Sequence, residues 1–488
     1  MNIEHSYLPL LACLSSLVIV PVIAALGKKP NAREAATFVA GGLKLTFVLM
    51  MLPKVLGGTM LEFTFCEIVP GIALEFRVDG LGMIFAIVAS SLWILTSLYA
   101  IGYMRGAKEH SQTRFFCFFA ISLSATLGVA FSANLLTLYV FYELLSLSTY
   151  PLVTHHQDKE ARTGGRTYLT YLLSTSIAFV LPAMLYCYIK SGGNMDFSSG
   201  GFLAEKVGGP EALILLLAFT FGFGKAGIMP FHSWLPGAMV APTPVSALLH
   251  AVAVVKVGVF SIIRVFTGVF GTNFLQTLNV AIVISWISAF TVIVSSLIAL
   301  TQDNLKRRLA FSTIGQLSYI ILGVSLLTNH AVAGSMMHIA MHAFGKITLF
   351  FCAGAIYVAA GKKYVSQLDG IGKKMPITMA AFAIGAMSVT GLPLTGGMWS
   401  KFYLIWGAAD AGQIALICVY AISSVLNGAY FFPIISRAFL KPLPDGEAPG
   451  LKEAPMACVA PLALTAMMTV LLFFAPTLLL NLANLILP

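Results

Sequence analysis

The sequence predicts an all-α integral membrane protein of about 14 transmembrane helices, with the seventh and twelfth broken. Three observations carry this. Of 488 residues, 58% are hydrophobic and only 10% are charged, against about 25% charged in soluble domains. Apolar runs long enough to cross a bilayer, roughly 20 residues, recur along the whole chain. In two of them, 211–236 and 378–405, glycines and prolines interrupt the run beside a lysine.

The spans are expected at about 6–26, 35–53, 79–102, 114–131, 133–153, 165–189, 211–230, 241–267, 277–300, 305–326, 330–359, 375–405, 411–438 and 455–485. The opening stretch "MNIEHSYLPLLACLSSLVIV" lacks the basic region of a secretory signal, so it reads as a retained first span. Between spans 2 and 3, residues 58–78 alternate apolar and polar side chains, the pattern of a surface β-hairpin.

Loop charges orient these spans. With the N-terminus outside, inner loops hold 19 lysines and arginines and the outer side holds 5 (Lys54, Arg77, Lys190, Lys206 and Arg264). That asymmetry places both termini outside. It also explains the net charge of +10 without nucleic acid.

The seven cysteines lie at least 40 residues apart, which excludes local CxxC sites. No Walker A sequence or dinucleotide fingerprint occurs. The chain is expected to hold no nucleotide, flavin, cluster or metal, and no catalytic redox site.

Five lysines fall within spans: Lys44, Lys225, Lys256, Lys346 and Lys401. Glu143 is the one clearly intramembrane carboxylate, and His250, His338 and His342 are also deep. A charge at mid-membrane costs about 3 kcal/mol by insertion scales, so the group reads as an ion or proton pathway. The plainer reading is snorkelling or polar packing. Glu143 and Lys225 are expected to form an ion pair whose changing separation switches the lysine's proton affinity. Lys256 sits mid-span. His250 lies six residues earlier, about 9 Å along the axis and on another face, so water would have to bridge them. His338, His342 and Lys346 are spaced i, i+4, i+8 on one stripe, suiting a proton wire. Haem or metal ligation by HxxxH is the rival there, disfavoured by the nearby cation. Lys401 follows Gly391, Pro393, Gly396 and Gly397. Lys44 is expected to snorkel.

Segments 211–236 and 378–405 share one layout: an apolar half-helix, an interruption, and a lysine. Pro230 and Pro236 mark the first interruption; Gly391, Pro393 and Gly396 mark the second. Broken helices in matching places point to a transport site built from internal repeats.

Four stretches, "FYELLSLSTYPLV", "GFGKAGIMPFHSWLPGAMVAPTPVSALLHA", "DNLKRRLAFSTIGQLSYIILG" and "GLPLTGGMWSKF", occur in the same order in a known family. Over roughly residues 70–440 the chain resembles the antiporter-like membrane-subunit superfamily. This comprises proton-pumping membrane subunits of respiratory complex I, large subunits of Mrp-type cation/proton antiporters, and their counterparts in membrane-bound hydrogenases. The resemblance implies N-terminal spans 1–3 with the hairpin (1–110), two inverted five-helix repeats (111–268, spans 4–8; 269–440, spans 9–13) and a C-terminal span 14 (441–488). It also implies a polar axis along the membrane midplane. The family's helix-five glutamate matches Glu143, its helix-seven lysine Lys225, its helix-eight relay Lys256 and its helix-twelve residue Lys401, which is glutamate in another branch. "PTPVSALLHA" is similar to the largest subunits, whereas the length suits an Mrp D-type or hydrogenase-linked subunit.

The expected function is therefore proton translocation within a multisubunit complex of the prokaryotic cytoplasmic membrane. Expected partners are related antiporter-like and small hydrophobic subunits, and the ions are protons with Na⁺ as a further candidate. An Mrp-type monovalent cation/proton antiporter is the first reading, and a complex I-like or hydrogenase-type redox complex the second. A stand-alone solute carrier would need a roomy midplane site lined by aromatic or amide groups.

Overall fold

A computed structural model describes residues 2–444 and 450–487. The join between spans 13 and 14 at 445–449, and both terminal residues, lie outside the described residues. Eleven described helices are long and apolar enough to cross a membrane: Leu8–Ala25, Pro30–Leu56, Gly80–Gly106, Gln112–Ala130, Leu135–Val153, Lys159–Ser191, Thr243–Phe270, Ile282–Thr301, Asn329–Ala360, Ile414–Leu440 and Met456–Phe474. They are spans 1–6, 8, 9, 11, 13 and 14. Span 10, Leu305–Ser325, is less apolar because it opens on Lys306, Arg307 and Arg308. Span 7 begins as Gly209–Gly222. Span 12 is two half-helices, Pro376–Thr390 and Gly397–Asp410. The seventh and twelfth are thus the broken ones.

Side-chain caps fix where several spans begin. Asp79, Asn134, Asp158 and Asn304 accept from the backbone N–H groups of Gly82, Thr137, Ala161 and Arg307, at 2.9, 2.8, 2.7 and 3.1 Å. Each satisfies a donor that a helix start leaves open. Burial then sorts the helices. Span 8 is buried on every side, whereas only about a third of spans 1 and 2 is covered. A helix without a polar or lipid-facing side belongs at the centre of the bundle, and span 8 carries Lys256.

Two details differ from the sequence reading. Span 14 stops at Phe474, and a separate helix, Thr477–Asn484, follows Pro476; proline lacks the N–H that would continue the ladder. The expected hairpin is present as β2 (Thr59–Val69) and β3 (Ile72–Val78), antiparallel. A further strand, β1 (Asn2–His5), pairs parallel with β2. Four residues give too short an alternation to stand out in the sequence.

The hairpin carries a pH-sensitive contact. Arg77 Nε donates to Glu62 Oε2 at 2.7 Å, while Glu75 Oε1 lies 3.7 Å from Arg77 Nη2. Burial, helped by the Glu62 carboxylate, pushes the Glu75 carboxyl up to about 8. An unfolded glutamate titrates near about 4.3. Between these values the folded state holds a proton that the unfolded state has lost, so folding stability falls as pH rises. Thermal unfolding in detergent should show a lower midpoint at about pH 8 than at about pH 5, and Glu75→Gln should remove this Glu75 contribution.

Candidate functional site

Span 7 stops at Gly222, before either proline. Gly224–Ala226 forms one 3₁₀ turn, and Gly227 follows with φ +67°. The glycines of "GFGKAG" therefore make the break, since glycine disfavours helix and permits positive φ. Pro230 lies in the following turn, and Pro236 sits inside a four-residue helix, Trp234–Gly237. Trp234 Nε1 donates to the Gly224 carbonyl at 3.0 Å, which also accepts the Gly227 N–H at 3.0 Å.

Lys225 sits in the break, fully buried. Its Nζ donates to the Tyr142 carbonyl at 2.8 Å and to Ser146 Oγ at 2.6 Å, and lies 3.0 Å from the Tyr142 ring centroid. Its backbone N–H donates to the Tyr142 hydroxyl at 3.1 Å. The expected Glu143–Lys225 ion pair is not made: both Glu143 carboxylate oxygens are buried without a hydrogen-bond partner. Helical geometry explains it. Positions 142 and 146 share one face of span 5, and position 143 is turned about 100° away.

Span 8 lies directly on this break. A Cβ at Gly258 would fall 2.2 Å from Ala226 N and 2.5 Å from Lys225 C, so only glycine permits the approach. Two π-helical stretches, Leu248–Val252 and Val265–Phe270, and an irregular Ala253 (φ −109°, ψ −80°) interrupt span 8. Lys256 Nζ meets His342 Nδ1 at 2.7 Å. His250 faces elsewhere, its ring 4.9 Å from that of Phe350 and both nitrogens unpartnered.

The histidine stripe of span 11 fans out. The rings of His338 and His342 stack at 5.6 Å. His338 Nδ1 meets Ser400 Oγ of span 12 at 2.8 Å, and its Nε2 meets Gln316 Oε1 of span 10 at 3.1 Å. Lys346 Nζ donates to Ser312 Oγ of span 10 at 2.8 Å, with the Phe431 ring at 5.5 Å. Eight residues at 3.6 per turn rotate the stripe by about 80°, which separates the partner of Lys346 from those of His338.

In span 12 the first half-helix ends at Thr390, Gly391 takes φ +91°, and helix resumes at Gly397. Lys401 reaches back across the gap. Its Nζ donates to the freed Thr390 carbonyl at 3.0 Å and to Ser424 Oγ at 3.2 Å, and lies 4.8 Å from the Tyr319 ring. A Cβ at Gly391 would meet Lys401 Cδ at 2.6 Å. Pro393 and Gly396 belong to the non-helical link. A groove of about 1050 Å³ between spans 12 and 13 opens beside Lys401 and Ser424.

Direct contacts thus join Lys256, His342 and His338 to Ser400 and Gln316. Tyr319 extends the series: its ring stacks on His338 at 5.9 Å and its hydroxyl meets Ser424 Oγ at 3.4 Å, beside Lys401. Lys225 stands one helix contact away, across Gly258. The sequence reading missed Tyr142, Ser146, Ser312, Gln316, Tyr319, Ser400 and Ser424. Only Gln316, an amide in mid-span, carried a signal of its own. Near the break, a cavity of about 860 Å³ is lined by Glu109, His156, His232 and Lys306 and reaches Ser233 and Thr243. His156 Nε2 meets Glu109 Oε1 at 3.2 Å, and that carboxylate holds the imidazole above its ordinary value.

Lys44 does not snorkel. It is fully buried, its Nζ donating to the Leu123 carbonyl at 3.0 Å with the Trp93 ring centroid at 5.1 Å. Thr37, Ala40, Gly41, Lys44, Val48 and Met51 form the buried stripe of span 2, so Lys44 faces inward.

Comparison with known proteins agrees with this architecture. Residues 132–427 match the family described as NADH:quinone oxidoreductase/Mrp antiporter, transmembrane, and residues 70–116 match the N-terminal family of complex I chain 5. NADH-quinone oxidoreductase subunit N of Desulforudis audaxviator is 32% identical over 79% of this chain and 77% of its own length. The A/B component of a probable K⁺/H⁺ antiporter of Rhizobium meliloti is 33% identical over 76% of this chain but 37% of its own length. The chain spans about half the length of several further curated relatives. One polypeptide in the structure of the Mrp complex from Dietzia sp. DQ12-45-1b has the same fold: TM-score 0.87 and 22% identity, covering 98% of this chain and 96% of that one. The chain is an integral membrane protein and belongs to the NADH:quinone oxidoreductase/Mrp antiporter family of membrane subunits.

Proposed function

We propose that this chain is the proton-translocating subunit of a multisubunit membrane complex, most simply an Mrp-type monovalent cation/proton antiporter. One observation carries the reading: buried lysines and histidines follow one another through spans 7, 8, 11 and 12, held by hydroxyls, carbonyls and imidazoles rather than carboxylates. Such partners let an amine or imidazole exchange its proton, whereas a contacting carboxylate would hold it.

Protons enter through the cavity beside Glu109 and His156, on the side of the inner loops, and load Lys225, His250 and Lys256. His342 and His338 pass charge toward Lys401, with Lys346 as a side branch. Glu143 sets the proton affinity of Lys225 through its distance and orientation. The breaks at Gly222–Gly227 and Gly391–Gly396 supply free backbone dipoles beside the two lysines. In this reading spans 4–8 and 9–13 form the two repeats, with both termini outside the cytoplasmic membrane.

A redox-driven complex is the second reading. It is favoured by the 32% identity to one NADH-quinone oxidoreductase membrane component over 77% of that protein. Gentle-detergent purification from native membranes, with identification of the co-purifying chains, separates the two. Antiporter-like and small hydrophobic partners are expected; partners with cysteine-rich cluster motifs would replace the first reading with the second. A chain that purifies alone would overturn both.

A further inference from the structure

Buried basic side chains in this protein have two kinds of partner. Arg308 donates to the Gln302 and Tyr430 carbonyls at 2.8 and 2.9 Å, whereas Arg33 pairs with Glu34 at 3.1 Å and Arg264 pairs with Asp79, so two of the three buried arginines among the described residues meet carboxylates. The lysines of the polar series do not. Lys225, Lys346 and Lys401 each combine a hydroxyl or carbonyl acceptor with an aromatic face.

Lys44 has this second environment although it lies outside the series, in span 2. Its acceptor is the Leu123 carbonyl of span 4, and its aromatic face is Trp93 of span 3. Next to Leu123, Ser124 Oγ donates to the Cys13 carbonyl of span 1 at 2.8 Å. Three spans therefore meet at one amine, and span 1 is tied to the same turn of span 4.

The site leaves an ammonium short of acceptors. An ammonium brings three N–H donors, and among the described residues Lys44 Nζ has one hydrogen-bond acceptor. Trp93 adds an Nε1–H that has no acceptor either. Losing a proton removes one donor and creates a lone pair. An unpaired ammonium in a dry interior is costly, whereas an amine that can gain and lose its proton is tolerated.

We propose that Lys44 is a further proton-exchanging site, lying off the midplane series among spans 1–4. It takes up and releases a proton during turnover rather than locking the helices as a fixed charge. The inference rests on the reading of the chain as a proton-translocating subunit.

Two variants separate exchange from fixed charge. Lys44→Met is always neutral and Lys44→Arg is always charged. Each is made in the intact complex, its assembly checked by co-purification, and its proton uptake followed with a pH-sensitive dye in inverted vesicles. Both are expected to assemble and to slow uptake by roughly tenfold or more, the scale of a lost proton-transfer group. A wild-type rate in Lys44→Arg would overturn the proposal, because charge alone would suffice. A wild-type rate in Lys44→Met would overturn it as well, because no proton would be needed.

If either variant fails to assemble, Lys44→His decides. An imidazole exchanges a proton at lower pH than an amine, so the uptake optimum should move toward acid. The titratable neighbour facing the site is the Cys13 thiol of span 1, with Trp93 and the Leu123 carbonyl presented by spans 3 and 4. An unmoved optimum overturns the proposal. Lys225→Ala run alongside distinguishes the two failures. If it abolishes uptake while the Lys44 variants do not, only this inference falls. If it leaves uptake intact, the proposed function falls first.

Discussion

Exchanging His342 for leucine is expected to leave the complex assembled and to slow proton translocation by roughly 100-fold. His342 Nδ1 is the partner of Lys256 Nζ at 2.7 Å, and its ring stacks on His338. It is thus the contact between central span 8 and the C-terminal part of the series. Leucine fills similar space in a fully packed helix, so the volume change is small. What disappears is the acceptor, and Lys256 is left buried beside an apolar group. His342→Gln restores an acceptor without a titratable ring. It should preserve assembly at least as well as leucine and transport almost as poorly. The check is the initial rate of dye-reported uptake, normalised to the amount of assembled protein. Transport restored by glutamine would mean that His342 only positions Lys256.

The second large effect is expected at the first break. Lys225→Ala removes the amine held by Tyr142 and Ser146, and translocation should fall by roughly 100-fold or more. Lys225→Arg should fail as well, because a guanidinium keeps its proton. Glu143→Gln should act in the same direction although Glu143 does not touch Lys225. Its carboxylate is buried and unpartnered, so its field is poorly screened. Residues that act as a unit are not additive. The double variant Glu143→Gln, Lys225→Ala should therefore be no slower than Lys225→Ala alone.

Much of this arrangement was legible in the sequence because the membrane makes polarity conspicuous. A lysine in "GFGKAG" or a histidine pair in "MMHIAMHAF" stands out against leucine and phenylalanine, and periodicity gives the helices. What the sequence hid is direction. Glu143 and Lys225 looked like a pair because they are opposite charges, yet a rotation of about 100° on span 5 gives Lys225 to Tyr142 and Ser146 instead. Prolines looked like the breakers of span 7, but the glycines before them had already ended it. Lys44 was expected to reach outward, but it lies with Thr37, Gly41 and Val48 on the side of span 2 that the structure buries. The serines and tyrosines that hold the lysines were invisible, because hydroxyls are common in helix packing of every kind.

Proton translocation through the Lys225 series is tested by comparing inverted membrane vesicles carrying the wild-type complex with vesicles carrying Lys225→Ala, matched for assembled protein. Both are supplied with the ion gradient or electron donor that drives the complex, and internal acidification is followed with a pH-sensitive dye. Acidification is expected in the wild type and its loss in the variant, with the same co-purifying subunits in both. Equal acidification in the two preparations would contradict this and would mean that protons cross elsewhere.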